Sequence, residues 1–247
     1  MEYDLISGNN YTVDKWCKKM EQFKINNYYP ATKYNLIKIT ISDVKFLYKN
    51  NKFPDIIENE INELLKINKY FFRVSQRSPK DAYKKEYKAK KKDSPERKLE
   101  LEKLRKSKLL VHNICEIYDL IKKSKRVSED FKLFIKQKNI QELYLVFQEW
   151  RESDGVEYRC FIRDHKLIGI CIYKPEFYSS ETIIPVGLIQ EFTNELIKFI
   201  DYDNMILDIY GSNNKVYFIE INPFEEYVDP FKFSWKMLKE TKNLIVI

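Results

Sequence analysis

Three polar side chains interrupt apolar, strand-like segments toward the C-terminus of the sequence. Asp208 lies within ILDIY, and Glu220 and Asn222 lie within YFIEIN. An ionised carboxylate inside such a run carries a large desolvation penalty unless it is paired or bound to a metal. Two carboxylates and an amide supply hard oxygen donors, which suit magnesium that is also coordinated by water and phosphate. We therefore predict that these three residues hold a metal ion.

The metal prediction depends on the register of the hairpin that joins the two segments. Glu220 and Asn222 are two residues apart and so face the same side of a strand. A plain four-residue loop over residues 211–214 would put Asp208 and Glu220 on opposite faces. A five-residue or bulged loop would make them diagonal neighbours, roughly 7–8 Å apart, and we predict this arrangement. Taken singly, each residue is explained by exposure at a sheet edge, or in the case of Glu220 by pairing with a lysine. The occurrence of all three together favours a metal.

A basic strand and turn lie earlier in the chain. Arg73 is in the strand-like segment 70–75, and Arg77, Ser78 and Lys80 follow in a turn that contains a proline. Cations and a hydroxyl in this arrangement can clamp phosphate groups. A solvated basic turn explains the same residues equally well, so both interpretations stay open.

Further candidates lie around residues 150–160. Glu157 and Arg159 face the same way on a strand, where an ion pair is the ordinary explanation and a phosphate contact is the alternative. Trp150 belongs either to the core or to the wall of an adenine pocket. No arrangement of serine, cysteine or histidine indicates a covalent nucleophile.

The composition excludes several classes of protein. The 247 residues are 44% apolar, which is enough for a substantial core, and only five are glycine, so Gly-rich phosphate loops are absent. The four cysteines lack C-x-x-C spacing, and two histidines are too few for a zinc site of several histidines. We find no signal peptide and no apolar run of membrane-spanning length, and we expect a soluble, cytoplasmic protein.

The positive charge is concentrated in one segment. Residues Lys84–Lys108 hold twelve basic and five acidic side chains, which accounts for the whole net charge of +7. The basic pI is therefore a property of this arm and not of the fold. This weakens the case that the whole protein binds nucleic acid.

Apolar periodicity predicts an α+β protein. We expect helices over residues 12–23, 53–67, 111–122, 128–138, 188–200 and 235–238, a short helix capped by Ser42-Asp43, a cap near Ser128, and helix in the second half of the arm. We expect strands over residues 36–41, 70–75, 143–149, 157–163, 166–173, 205–210 and 215–221. We expect the chain to divide into a helix-rich N-terminal lobe, 1–142, and an antiparallel-sheet C-terminal lobe, 143–247.

Six strings, taken together and in this order, resemble the cell division cycle protein 123 family. They are FFRVSQRSPKDA (71–82), LVFQEW (145–150), EYRCFIRDHKLIGI (157–170), ILDIY (206–210), FIEINPF (218–224) and FSW (233–235). The resemblance spans most of the chain. It implies an ATP-grasp-like fold that binds ATP and magnesium in a cleft between the two lobes.

The resemblance also implies a role for individual residues. Arg73 and Arg159 would face phosphates; Gln76, Ser78 and Lys80 lie on the nucleotide loop; Val146 and Gln148 line the adenine; Asp208, Glu220 and Asn222 match the metal ligands. The family usually has lysine in place of Arg73, basic residues in place of Gln148 and Glu149, and aspartate in place of Glu220.

The function that the resemblance implies is assembly of translation initiation factor 2 through its gamma subunit, which in this case could belong to a host. The alternative is an ATP-grasp ligase or phosphotransferase that acts on an RNA or protein acceptor, with RNA contacted through Lys84–Lys108. A third possibility is a nucleotide-binding protein whose arm is a solvated helix. No acceptor site is evident, which favours binding over catalysis and leaves enzymatic activity open.

Overall fold

The computed structural model describes residues 11–23, 33–88, 90, 92–137, 143–149, 155–173 and 183–247. Trp150, for which the sequence left two environments open, lies outside these residues. The chain divides into two compact units, the first formed by Met1–Asn9 and Lys33–Trp150 and the second by Asn10–Thr32 and Arg151–Ile247. Each unit contains a sheet of its own.

In chain order the helices are α1 (Val13–Gln22), α2 (Ile41–Asn50), α3 (Asp55–Ile67), α4 (Pro95–Ser107), α5 (Ile114–Lys123), α6 (Lys125–Lys136), α7 (Val186–Phe199) and α8 (Trp235–Glu240). The strands are β1 (Tyr34–Ile39), β2 (Tyr70–Val74), β3 (Leu110–Val111), β4 (Leu143–Glu149), β5 (Val156–Arg163), β6 (Lys166–Ile172), β7 (Met205–Ser212), β8 (Lys215–Asn222) and β9 (Ile245–Val246). The elements predicted from the sequence are present, with ends that differ by a few residues. β3 and β9 were not predicted, because a strand of two residues shows no periodicity.

The sheet of the first unit is antiparallel, with strand order β1-β4-β2-β3. One face, on which Ile39, Phe72 and Leu145 are fully buried, packs against apolar residues of α2, α3, α5 and α6. Strand β4 lies inside this sheet, between β1 and β2, whereas the sequence grouped residues from 143 onward with the second lobe. Alternation along β4 predicts a strand but does not indicate which sheet it joins.

Two helix caps lie upstream of the predicted positions. Thr40 and Asp43 form a capping box at the start of α2, with the Thr40 amide 2.8 Å from Asp43 Oδ2. Ser124 accepts a hydrogen bond from the amide of Val127 and so caps α6, whereas the sequence predicted Ser128. Ser124 also ends α5, so the two helices are separated by a single residue.

The sheet of the second unit has strand order β8-β7-β5-β6-β9, and only the pairing of β6 with β9 is parallel. α1 and α7 pack on one face, where the rings of Trp16 and Phe218 are 5.1 Å apart. On the other face Phe233 and Leu238 cover Phe161. No helix among the described residues has the length and apolar content needed to cross a bilayer.

Candidate metal site and nucleotide-binding residues

The β7–β8 hairpin brings two predicted metal ligands directly opposite each other. Asn213 and Asn214, both with positive φ, form a two-residue turn that pairs Ser212 with Lys215. A register shift then occurs beside Ile209, and Asp208 pairs with Glu220. The loop is shorter than either predicted alternative, and the irregularity lies within the strands.

This register confirms that the predicted ligands share a face, although their exact relation differs from the prediction. Asp208 and Glu220 are direct cross-strand neighbours and not diagonal ones. Asn222 pairs with Ile206, which makes Asn222 the diagonal neighbour of Asp208. Its Nδ2 lies 3.1 Å from Asp208 Oδ2, so the amide donates to the carboxylate.

Arg159 on strand β5 pairs directly with Asp208 and lies on the same sheet face. We call Arg159, Asp208, Glu220 and Asn222 the polar row. Its Nε lies 2.7 Å from Asp208 Oδ1 and its Nη2 lies 2.7 Å from Oδ2, which is a bidentate ion pair. Arg159 and Asp208 are 8% and 4% exposed. The sequence left open an ion pair of Arg159 with Glu157, and its partner proves to be Asp208 on the neighbouring strand.

Burial dominates the electrostatics of the pair. It raises the pKa of the Asp208 carboxyl to about 6, against the opposing effect of Arg159, and the charge of Glu220 adds to the rise. Burial lowers the pKa of the Arg159 guanidinium and Asp208 raises it, with a net rise. This pKa leaves the Asp208 carboxyl ionised near neutral pH, as a carboxylate that coordinates a metal must be.

The donor chemistry of the row fits magnesium. A carboxylate offers about four lone-pair positions. Asp208 uses three of them, because Oδ1 accepts from Arg159 and Oδ2 accepts from Arg159 and Asn222. One position on Oδ1 remains. Glu220 places a second carboxylate directly opposite Asp208, and Asn222 adds an amide oxygen, so all three side chains carry hard oxygen donors. No group of three His, Cys, Asp or Glu side chains suited to a metal occurs in the described part of the chain, so the amide is needed to complete the set.

Six of the residues predicted to bind nucleotide lie in the first unit, in two groups. Arg73 pairs with Val146 across β2 and β4, and Gln148 pairs with the preceding Phe71. Arg73, Val146 and Gln148 therefore share the sheet face opposite the helix-covered core. Arg73 is only 8% exposed, and its Nε donates to the carbonyl of Val74.

The second group, Gln76, Ser78 and Lys80, lies on the loop after β2. Ser78 is buried, and the carbonyl of Lys80 accepts a hydrogen bond of 3.0 Å from Arg105 of α4. Arg77 in the same loop forms an ion pair with Asp130 of α6, with Nη2 2.6 Å from Oδ1. Arg77 therefore anchors the loop to a helix, which is neither of the two roles that the sequence left open.

Sequence reasoning missed the segment that completes the surroundings of Arg159. The carbonyl of Asp229 accepts a hydrogen bond of 2.7 Å from Arg159 Nη1, and the Phe231 ring centroid lies 4.2 Å from the guanidinium carbon. Asp229 and Phe231 carry no periodic signal, since they lie in an irregular connection between β8 and α8. The Asp-Pro-Phe string marks a turn but not its target.

Comparison with known proteins bears on family and fold. Residues 38–244 match the family model described as D123. The "Translation initiation factor eIF2 assembly protein" of Danio rerio is 34% identical over 107 residues, which cover 40% of this chain and 31% of that protein. The protein of the same name from Xenopus laevis is 33% identical over 148 residues, 54% of this chain and 43% of that protein. The chain thus matches less than half of the length of these relatives.

Among solved structures, Cdc123 from Schizosaccharomyces pombe has the same fold. Its TM-score is 0.71 at 21% sequence identity, over 96% of this chain and 94% of that one. This match, together with helices and two mainly antiparallel sheets, confirms the predicted α+β class, and the ATP-grasp likeness stays a prediction.

Proposed function

The chain belongs to the D123 family, and from this membership we propose that it is a cytoplasmic assembly factor for translation initiation factor 2 that binds ATP with magnesium. The names of the curated relatives support the assembly function. The observation that carries the ATP and magnesium part is the polar row on one sheet face, in which Arg159 and Asp208 are buried and Glu220 and Asn222 are half-buried. The gamma subunit, from the same organism or from a host, is the proposed partner.

In this proposal each residue of the row has a defined task. Asp208, Glu220 and Asn222 would hold magnesium, which neutralises phosphate charge when it is bound. Arg159 keeps the Asp208 carboxylate oriented and ionised near neutral pH. In the first unit, Arg73, Gln76, Ser78 and Lys80 would contact phosphates, and Val146 and Gln148 would contact the adenine. These assignments predict that the affinity for ATP rises when Mg²⁺ is present, and that this rise requires the polar row of the second unit.

A second candidate, a ligase or phosphotransferase with an RNA acceptor, draws on the basic arm. Lysines 84, 85, 88, 90, 92, 103 and 108 of the arm are exposed. An exposed basic segment can recruit RNA through its phosphates. The names of the curated relatives describe assembly and not catalysis, so binding without turnover is the primary proposal.

The test combines nucleotide uptake with complex formation. We would titrate the purified chain with ATP, with and without Mg²⁺, by calorimetry, and then add the gamma subunit and separate the complexes by gel filtration. We expect stoichiometric, magnesium-dependent ATP binding and co-elution that is weakened in Asp208→Asn. No nucleotide uptake by the intact protein, or no co-elution under any condition, would overturn the proposal. Release of ADP or AMP that requires added RNA would instead support the second candidate.

A further inference from the structure

The guanidinium of Arg159 is held on three sides. Asp208 accepts two hydrogen bonds at one edge, and the carbonyl of Asp229 accepts a third at Nη1. The ring of Phe231 covers the guanidinium, with 4.2 Å between its centroid and the guanidinium carbon. Residues 229–231, which we call the corner, therefore fix both the position and the plane of the charged group.

The corner contains a residue with a bulky side chain in an unfavourable backbone conformation. Phe231 has φ of 53°, in the left-handed region that a bulky side chain rarely adopts. The Phe231 amide donates to Asp229 Oδ1 over 2.9 Å, and its ring lies 4.7 Å from the ring of Tyr173. Glycine would meet the backbone requirement without strain. An aromatic residue at this position is therefore explained by the contacts of its ring with Arg159 and Tyr173 and not by the turn.

The contacts of Arg159 leave part of its donor capacity for a ligand. A guanidinium has five N–H groups. Three of them donate to Asp208 and Asp229, and the other two meet no acceptor among the described residues. Two N–H donors on a fixed plane, beside the carboxylates of Asp208 and Glu220, are suited to a phosphate oxygen that shares the same metal.

We propose that Phe231 is a positioning residue for nucleotide binding and acts through Arg159. The corner holds the guanidinium so that one edge orients Asp208 toward magnesium while the two remaining donors face a phosphate oxygen. This inference rests on the proposed binding of ATP with magnesium. The inference adds a coupling between the affinity for the metal and the affinity for phosphate. The coupling acts through the orientation of the Arg159 guanidinium plane, which the ring of Phe231 fixes.

The first test compares three variants of Phe231. Phe231→Ala and Phe231→Gly both remove the ring, but glycine also relieves the backbone strain, and Phe231→Tyr keeps a ring over Arg159. By calorimetry we expect the alanine and glycine variants to lose about 10- to 100-fold in affinity for ATP with Mg²⁺, as is usual when the support of a metal ligand is removed. The tyrosine variant should stay close to the native protein, and ATP affinity without Mg²⁺ should change less.

The control is Phe233→Leu, which alters a buried ring of the same segment that packs on Phe161 and not on Arg159. It should lower stability without changing the dependence of ATP affinity on Mg²⁺. If Phe231→Gly binds ATP with Mg²⁺ as tightly as the native protein, the ring has no positioning role and the inference is wrong. If the native protein itself takes up no ATP, the proposed function fails first, so the two failures are distinguishable.

A second readout needs no ligand. The chain has eight arginines, so the Nε–H signals of a ¹⁵N-arginine-labelled sample can be resolved by NMR. The Arg159 signal, assigned by its loss in Arg159→Lys, should exchange slowly with solvent in the native protein because Nε–H is bonded to buried Asp208. We expect faster exchange in Phe231→Ala and Phe231→Gly and slow exchange in Phe231→Tyr. Equal exchange in all variants would contradict the proposed restraint.

Discussion

Asp208 and Glu220 are direct partners on β7 and β8, although a regular strand would place Glu220 on the opposite face. Phe218 pairs with Ile209 and is buried against the helices, and in a regular strand Glu220 would follow it to that side. The bulge at Ile219 reverses the alternation, so the same strand supplies Phe218 to the core on one face and Glu220 to the polar row on the other.

The position of Glu220 makes its charge the first feature to test. Glu220→Gln keeps the size of the side chain and removes one of the two carboxylates beside the proposed metal. We expect Mg²⁺ affinity to fall roughly tenfold or more, because Mg²⁺ prefers charged oxygen donors, with little change in the affinity for ATP alone. Manganese titration followed by electron paramagnetic resonance measures the metal directly. The control is Glu225→Gln, an exposed carboxylate nearby, and an equal loss there would argue against a specific site.

The buried pair of Arg159 and Asp208 predicts strong thermodynamic coupling. Arg159→Met or Asp208→Leu alone leaves an uncompensated buried charge, and each should lower the free energy of unfolding by about 3–5 kcal/mol. The double variant, with both charges removed, should recover most of that loss while ATP binding with Mg²⁺ stays abolished. Urea denaturation of the four proteins measures the coupling.

The matched control for this cycle is the exposed pair Lys52 and Asp55, whose Nζ and Oδ1 are 2.8 Å apart. Solvent screens such pairs, so the same cycle should give no measurable coupling there. Additive losses at Arg159 and Asp208 would mean that the two charges do not depend on each other, contrary to their bidentate geometry.

Most of the local structure, and the residue types of the polar row, can be predicted from the sequence. Periodic apolar residues define the longer helices and strands, and polar interruptions in apolar strands identify Asp208, Glu220 and Asn222 as candidates. The common face of Asp208 and Glu220 was predicted from an irregular hairpin, but its origin in a bulge at Ile219 could not be deduced. Bulges depend on cross-strand pairing, which no local pattern encodes.

Long-range partners account for what the sequence did not reveal. Arg159 is 49 residues from Asp208 and 70 from the Asp229 carbonyl, so nothing in its own strand indicates either contact. Arg77 likewise suggested a phosphate clamp or a solvated turn, and its partner Asp130 is 53 residues away. Such pairings follow from the topology of the sheets and helices and not from spacing along the chain.

The ion pair between Arg77 and Asp130 predicts a stability that depends on pH. Asp130 is 1% exposed, and Arg77→Met would leave its charge buried without a partner, at a cost of about 3–5 kcal/mol near pH 7. Burial raises the pKa of Asp130 and Arg77 opposes the rise, so the pKa should increase further in the variant. A raised folded-state pKa contributes stability below the unfolded value and loses it as pH rises. The destabilisation should therefore be smaller at pH 4 than at pH 7.

Urea denaturation of the native protein and of Arg77→Met at both pH values checks this sign. Adding Asp130→Asn to the variant should remove most of the difference between the two pH values, because the titrating group is gone. Arg97→Met, which removes an exposed cation of α4, serves as the control. A destabilisation by Arg77→Met that is larger at pH 4 than at pH 7 would show that Asp130 is not the group responsible.

We expect the local stability of helix α4 to depend on Arg105. No described side chain of α4 belongs to the buried core. Arg105 joins the helix to the loop after β2 through the carbonyl of Lys80 at 3.0 Å, and Glu102 holds its Nε at 3.1 Å. With Arg105→Ala we expect faster hydrogen exchange at the amides of α4 and of the loop, without change in β2 or β4, because few other contacts oppose local opening.

Hydrogen-exchange mass spectrometry of the native protein, Arg105→Ala and Arg97→Ala separates this anchor from general helix stability. Arg97 lies on the same helix and pairs with Glu100, but both side chains are exposed, so its removal should affect α4 alone and only slightly. Exchange in the loop that rises in Arg105→Ala and not in Arg97→Ala would mean that the basic arm restrains the residues proposed to contact phosphate. Equal loop exchange in the three proteins would instead assign that restraint to Arg77 and α6.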